Sequence, residues 1–284
     1  MIPTAFDYHR ATSVDDALKA MAATAGSGKF VAGGHSLVPL MKLRLSEPGT
    51  LIDIARIPEL AGIREKEGKI EIGAATVHHA VASSQLLQER CPLVAEAAAT
   101  IGDAQVRNRG TIGGSLAHAD PSADMPAVMV ALEAEIQLRS AGGQRSVKAT
   151  DFFQDLFTVD LQPDEIITAV RFAPVKSAAY SKLYQKASHY AIVGVAAVVD
   201  VKGGKIQSAR IGLTGASTHA TRLAKLEQAL AGQATSADSL GKATANAGAE
   251  LATVNSDIHA GEDYRRAMVG VFAKRALLAA IARA

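Results

Sequence analysis

Two glycine-rich stretches carry the residue types best suited to holding a phosphorylated ligand. In Val31-Ala32-Gly33-Gly34-His35-Ser36 a short apolar run ends in paired glycines and passes into Leu37-Val38-Pro39-Leu40-Met41-Lys42-Leu43, which reads as a helical turn. Paired glycines let a backbone approach a ligand closely, and free amides at a helix start attract anions. The stretch therefore suits a pyrophosphate. Alone it is equally an ordinary tight turn, as Gly142-Gly143 and Gly203-Gly204 illustrate in the same chain. The second stretch, Gly110-Thr111-Ile112-Gly113-Gly114-Ser115, adds hydroxyls fit for phosphate or ribityl oxygens. After it comes His118-Ala119-Asp120-Pro121-Ser122-Ala123-Asp124, in which Asp124 can cap the next helix or accept hydrogen bonds from ribose or ribityl hydroxyls. Neither stretch has the glycine spacing of a dinucleotide-binding Rossmann turn or the trailing Lys-Ser/Thr of a P-loop, which weakens NAD and ATP as ligands. No nucleophile or acid–base pair stands out, so no catalytic residue is assigned.

The elements that would position these residues follow from periodicity. Ser13 precedes Val14-Asp15-Asp16-Ala17-Leu18-Lys19-Ala20-Met21 as an N-cap before apolar residues at helical spacing. Lys29-Phe30-Val31 reads as a strand, so the first glycine stretch joins strand to helix. Leu51-Ile52-Asp53-Ile54 is a further strand, and a small α+β unit closes near residue 60. Lys69-Ile70-Glu71-Ile72-Gly73 alternates as a strand. Pro92 opens a helix reaching Ile101. From Gly102 to Asp124 no periodicity survives, predicting a long functional loop. A helix over 125–132, a strand over 134–138 and, within 163–172, a turn feeding a strand follow. Beyond the linker Ala173-Pro174-Val175-Lys176-Ser177, the runs 191–199 and 206–213 flank Lys202-Gly203-Gly204-Lys205, a hairpin signal. Segments 224–230, 234–252 and 263–282 are helical in pattern.

Composition narrows the function classes. At 284 residues about two domains are expected. With 48% hydrophobic and 20% charged residues the chain reads as an ordinary globular protein. Thirty Lys+Arg against 28 Asp+Glu, without a dense basic run, make nucleic acid a poor partner. The longest apolar run, Ala191 to Val199, falls far short of the roughly 20 residues that span a bilayer. The opening Met1-Ile2-Pro3-Thr4-Ala5-Phe6-Asp7 lacks a charged segment followed by an apolar one, so a cytoplasmic location is expected. Cys91 is the single cysteine, which excludes an iron–sulfur cluster held by this chain's own thiolates. The eight histidines are scattered and the pair His78-His79 diverges, so no metal site is expected.

Together the two stretches look like the paired FAD loops of the medium subunits of molybdenum hydroxylases. The likeness spans nearly the whole chain, including Phe6-Asp7-Tyr8, Ala119-Asp120-Pro121 with Asp124, and Asp263-Tyr264-Arg265-Arg266. That family includes the flavoproteins of carbon monoxide dehydrogenase-like and xanthine dehydrogenase-like enzymes. Their FAD domain resembles those of vanillyl-alcohol oxidase and the cell-wall reductase for UDP-acetylenolpyruvoylglucosamine. The resemblance implies an α+β fold: a two-part FAD-binding domain of the vanillyl-alcohol oxidase-like (PCMH) type over 1–175, with subdomains about 1–58 and 59–175. A C-terminal domain of antiparallel sheet plus helices would follow over 176–284.

For the site, the resemblance implies that Val31, Ala32, Gly33, Gly34, His35 and Ser36, with Thr111, Gly113, Gly114 and Ser115, wrap the FAD pyrophosphate. Ile101, His118, Asp124 and Leu161 would line its ribityl, ribose or ring portions, and Lys186 and Tyr190 would cover the isoalloxazine. The Tyr190 face can stack on a flavin ring. His189 stands where an aspartate is common. In carbon monoxide dehydrogenases Asn-Gly precedes the Asp-Pro and Asn precedes the final Asp; His118-Ala119 and Ala123 stand here, which disfavours that substrate. No cysteine-rich insertion is present, so the extra cluster of the benzoyl-CoA reductase branch is not expected. The implied function is electron transfer. Substrate is oxidised at a molybdenum cofactor on a large partner, and electrons cross [2Fe–2S] clusters on a small partner to this FAD and leave to an external acceptor. A dimer of heterotrimers is implied. The alternative is a stand-alone flavin oxidase or reductase.

Overall fold

The computed structural model describes residues 2–284. It opens with β1 (Asp7–Arg10), α1 (Val14–Ala23), β2 (Gly28–Val31), α2 (Leu37–Lys42) and β3 (Thr50–Asp53), the strands forming a parallel sheet in the order β1-β3-β2. Ser13 caps α1 as its spacing predicts, accepting from the Asp16 amide at 3.1 Å. Val14, Ala17, Leu18 and Met21 form one buried stripe of α1, packed with Ile52, Ile57 and Leu60. β1 was not legible in the sequence, because Asp7-Tyr8-His9-Arg10 is polar and mostly exposed.

The second unit is built on a five-stranded antiparallel sheet. β4 (Ile63–Lys66) and β5 (Lys69–Gly73) lead into the helices α3 (His78–Ala82), α4 (Gln85–Arg90), α5 (Pro92–Ala99), α6 (Ala104–Arg107), α7 (Ile112–His118) and α8 (Asp124–Ala131). β6 (Glu135–Ser140), β7 (Gly143–Lys148), a short helix α9 (Ala149–Phe152), the small pair β8 (Phe153–Asp155) and β9 (Thr158–Val159), and β10 (Ile166–Phe172) follow. Sheet order is β4-β5-β10-β6-β7. The stretch 102–124 is not the continuous loop expected from the sequence: α6 and α7 lie in it. Helices this short fall below the 11 to 18 or so residues over which periodicity is readable.

The C-terminal unit is an antiparallel meander of β11 (Ala178–Tyr184), β12 (Ala191–Lys202), β13 (Lys205–Thr214) and β14 (Thr221–Arg222). Gly203 and Gly204, at φ +60 and +72, make the tight turn of the β12–β13 hairpin. α10 (Ala224–Leu230), α11 (Ala237–Thr244) and α12 (Glu262–Ile281) cover one face. The helix expected over 234–252 ends early, and a 3₁₀ turn, Ala247–Glu250, replaces its second half. There Gly248 lies so close to α12 that a Cβ would stand 2.3 Å from the Arg266 carbonyl.

β12 explains its own continuous apolar run. Val195, Ala197 and Val199 face the core shared with α12, while Ala196 and Val198 belong to the core of the sheet unit before it. α8 fills the space between, with every residue buried. Gly212 of β13 permits that contact, since a Cβ there would meet the Ala127 carbonyl at 2.0 Å. Flexible relative motion of the two halves is therefore opposed by a common apolar layer.

Candidate functional site

A cleft of about 590 Å³ opens where the end of β2, the start of α7, α6 and the segment 187–190 converge. Val31, Ala32, Gly33, Gly34, His35 and Ser36 all line it. Among the described residues, no acceptor within the chain takes the backbone amides of Gly33, Gly34, His35, Ser36 or Leu37. Such a run of unpaired donors forms a concave nest for an anion. Ser36 stands before α2 but makes no capping bond with its side chain, so its hydroxyl is also uncommitted. Gly33 is required by contact: a Cβ there would lie 2.2 Å from the Arg109 carbonyl, where the two glycine stretches touch back to back. Gly34 is required by conformation, with φ +75.

The second stretch is built differently. The Ile112 amide donates to Thr76 O at 3.0 Å, that of Gly113 to Ala74 O at 2.8 Å and that of Gly114 to Thr111 Oγ1 at 3.1 Å. The start of α7 thus has its amides occupied. Thr111, Gly114 and Ser115 line the cleft and offer hydroxyls and open surface, whereas Gly113 lies beneath, where a Cβ would stand 2.5 Å from Ala74 Cβ. His78, at the start of α3, supports this loop. It is 4% exposed, lines the cleft next to Gly110, and its Nδ1 has no partner. Burial pushes its pKa down to about 4, so it is neutral at physiological pH. His79 points to solvent.

The other site residues inferred from the sequence divide. Ile101, His118, Asp124 and Tyr190 line the cleft; Leu161 packs against the core behind it, and Lys186 is exposed outside it. Burial lowers the His118 pKa, with Lys29 adding and Asp120 opposing. The His118 ring lies 5.1 Å from that of Phe157. Asp124 is not the cap of α8 but its first residue, after Ala123. Its buried carboxylate accepts from Tyr180 Oη at 2.6 Å and pairs with Lys182 Nζ at 3.0 Å. Burial raises its pKa while Lys182 and Tyr180 pull it down. Tyr190 presents a half-exposed ring to the cleft, its pKa raised by burial and then by Asp120 and Asp124. Of the non-glycine residues in the left-handed region, His189, at φ +62, lines the cleft.

Sequence reasoning missed His78, Tyr180 and Lys182, together with Gly102, Asp103 and Val106 of the α6 turn. Only the polar type of Lys182 in the apolar strand β11 could have drawn notice.

A cleft of about 590 Å³, a nest of unpaired amides and an orphaned imidazole nitrogen fit a ligand with a pyrophosphate and a polar heterocycle. The family described as FAD binding domain in molybdopterin dehydrogenase matches residues 4–174. The chain belongs to this family. The molybdopterin dehydrogenase FAD-binding domain is followed by a match to the CO dehydrogenase flavoprotein C-terminal domain over residues 178–280. The chain is similar over its full length to the carbon monoxide dehydrogenase medium chain of Hydrogenophaga pseudoflava, with 42% identity covering 99% of that protein. It is 37% identical to the glyceraldehyde dehydrogenase medium chain of Sulfolobus acidocaldarius, covering 97% of this chain and 98% of the relative. A solved carbon monoxide dehydrogenase of Hydrogenophaga pseudoflava, lacking the Mo-pyranopterin moiety of its cofactor, superposes with a TM-score of 0.95 at 42% identity, over 100% of this chain and 99% of the other. This protein is accordingly an FAD-binding, medium-type subunit of the oxidoreductase family, with the mixed helix and sheet architecture that the resemblance implied.

Proposed function

We propose that this chain carries FAD in the cleft, receives electrons from iron–sulfur clusters on a small partner subunit and passes them to an external acceptor. The single observation that carries the reading is the row of unpaired amides from Gly33 to Leu37 facing the cleft. Those donors and the Ser36 hydroxyl would hold the pyrophosphate without a metal ion. Thr111, Gly114 and Ser115 would close the opposite side, and Ile101, His118, Asp124 and Tyr190 would line the ribityl, ribose and ring portions. Gly113 would act from beneath, and Leu161 and Lys186 would join only through contacts outside the cleft lining. When bound, FAD supplies the redox chemistry, accepting electrons singly or in pairs. The chain orients it, excludes water from its buried side and tunes it through neighbouring hydrogen bonds.

The partners belong to the same proposal: a large subunit with the molybdenum cofactor, a small one with [2Fe–2S] clusters, assembled as a dimer of heterotrimers in the cytoplasm. Supporting it, relatives of this length are named medium chains, and the sole thiol, Cys91, is fully buried. No helix among the described residues is long and apolar enough to cross a membrane. Relatives of comparable identity are named for carbon monoxide and for glyceraldehyde, so substrate choice fits better on another subunit. The division at 175/176 is likewise proposed, in the segment between β10 and β11.

The test is the visible absorption spectrum of the purified complex, with identification of the flavin released on denaturation. Two flavin bands and released FAD are expected. A folded complex without them, which added FAD neither colours nor stabilises, would overturn the reading.

A further inference from the structure

Among the described residues, Lys182 is the one charged side chain whose hydrogen bonds join the cleft wall to the segment bearing Tyr190, and it does so from a dry position. Its side chain is 4% exposed. An ammonium has three donors and no acceptor, and here each donor meets an oxygen: Thr100 O at 2.9 Å, His189 O at 2.8 Å and the Asp124 carboxylate at 3.0 Å. Thr100 ends α5 and Asp124 starts α8, both in the FAD-binding unit; Lys182 lies in β11, and His189 in the segment between β11 and β12. Tyr180, two residues along the same strand face, donates to Asp124 Oδ1 at 2.6 Å, the oxygen that Lys182 also approaches.

The segment 185–190 has few other ties to that wall. Its inner hydrogen bonds are local, with Gln185 Oε1 accepting from the amides of Ala187 and Ser188. Besides Lys182, it meets the FAD-binding unit through the His189 ring, whose Nδ1 lies 2.8 Å from Gly102 O, and the Ala191 amide, which donates to Ser122 O at 3.2 Å. His189 itself is held at φ +62, a conformation that a side chain resists and that surrounding bonds must enforce. Ala187, Ser188, His189 and Tyr190 line the cleft.

We propose that Lys182 is a positioning residue: its ammonium clasps the His189 carbonyl to Thr100 and Asp124 and so fixes the Tyr190 ring over the cleft. Its link to flavin rests on the proposed function above, but the clasp itself concerns this chain alone. Lys182 does not itself line the cleft; it holds two residues that do, Asp124 and His189, and acts on the ring through His189 and Tyr190.

The experiment compares wild-type complex with Lys182→Met and Lys182→Arg, prepared with its partners, by hydrogen exchange of the 186–190 amides, flavin fluorescence and thermal unfolding. Methionine keeps the length and removes all donors. Loss of a charge-assisted hydrogen bond at a buried site should speed exchange in 186–190 by about tenfold or more. It should also raise the fluorescence of bound flavin, because the aromatic ring that quenches it is no longer held. Arginine, still charged and able to donate, should restore part of the protection. Removing Lys182 also strands the Asp124 charge, which lowers overall stability. The double variant Asp124→Asn, Lys182→Met separates the two effects: stability should recover while fast exchange in 186–190 persists. If protection of 186–190 returns with stability in the double variant, or never changes in Lys182→Met, the clasp is refuted. A wild-type complex without flavin would instead sink the functional reading and leave the exchange comparison intact.

Discussion

The two glycine stretches are similar as text and opposite as structure. Around Gly33-Gly34 the amides from Gly33 to Leu37 have no acceptor in the chain and face the cleft. Around Gly113-Gly114 each amide at the helix start is occupied by Thr76, Ala74 or Thr111. In the first, glycine serves ligand approach; in the second, Gly113 serves close packing on Ala74, over β5 and α3. Glycine removes a Cβ in both, and only the fate of the neighbouring amides decides which use results.

That contrast can be broken by placing a methyl group in each. Gly33→Ala drives a Cβ into the Arg109 carbonyl and separates the stretches, so FAD retention is expected to fall by more than about 100-fold. Flavin content of the purified complex measures it; full retention would mean that the first stretch is not the anion site. The support under the second stretch should show in acid. Unfolded His78 takes a proton near 6.5 and folded His78 only near 4, so between these values the unfolded state binds more protons and stability falls as pH falls. By pH 5 that difference amounts to about 2 kcal/mol from this residue. Denaturant unfolding at neutral pH and at pH 5 should show a larger loss in wild type than in His78→Leu, and equal losses would contradict a buried neutral imidazole.

Gly113→Ala overpacks Ala74 and is expected to cost about 1 to 2 kcal/mol of stability, with a smaller effect on flavin than Gly33→Ala. A reversed ranking of the two variants in FAD retention would erase the contrast. The smallest effect belongs to Ala119, which ends α7 in the left-handed conformation at φ +47. Ala119→Gly should raise stability by about 0.5 to 1 kcal/mol, read as a higher unfolding midpoint. A lower midpoint would show that the alanine methyl contributes more by packing than its backbone strain costs.

Much of the fold was legible because its signals are local. Ser13 before a periodic run, Gly203-Gly204 between apolar runs and Pro92 at a helix start each specify an element within a few residues. The polar β1 has no such signal, since its pairing with β3 is set by the partner strand. The cleft was legible at its glycines, whose type is dictated by backbone geometry. The partners of Asp124 were not, because Tyr180 and Lys182 lie in another unit and only folding brings them together. His78 shows the same limit: its sequence neighbour His79 is identical in type, and only burial distinguishes them.

The most direct test is a crystal structure of the flavin-loaded complex. Pyrophosphate oxygens are expected within about 3.2 Å of amides in the run Gly33 to Leu37, with those of Ile112, Gly113 and Gly114 keeping their present acceptors. A flavin whose pyrophosphate lies away from the first stretch, or that displaces Thr76, Ala74 or Thr111 from the second, would contradict the division between them.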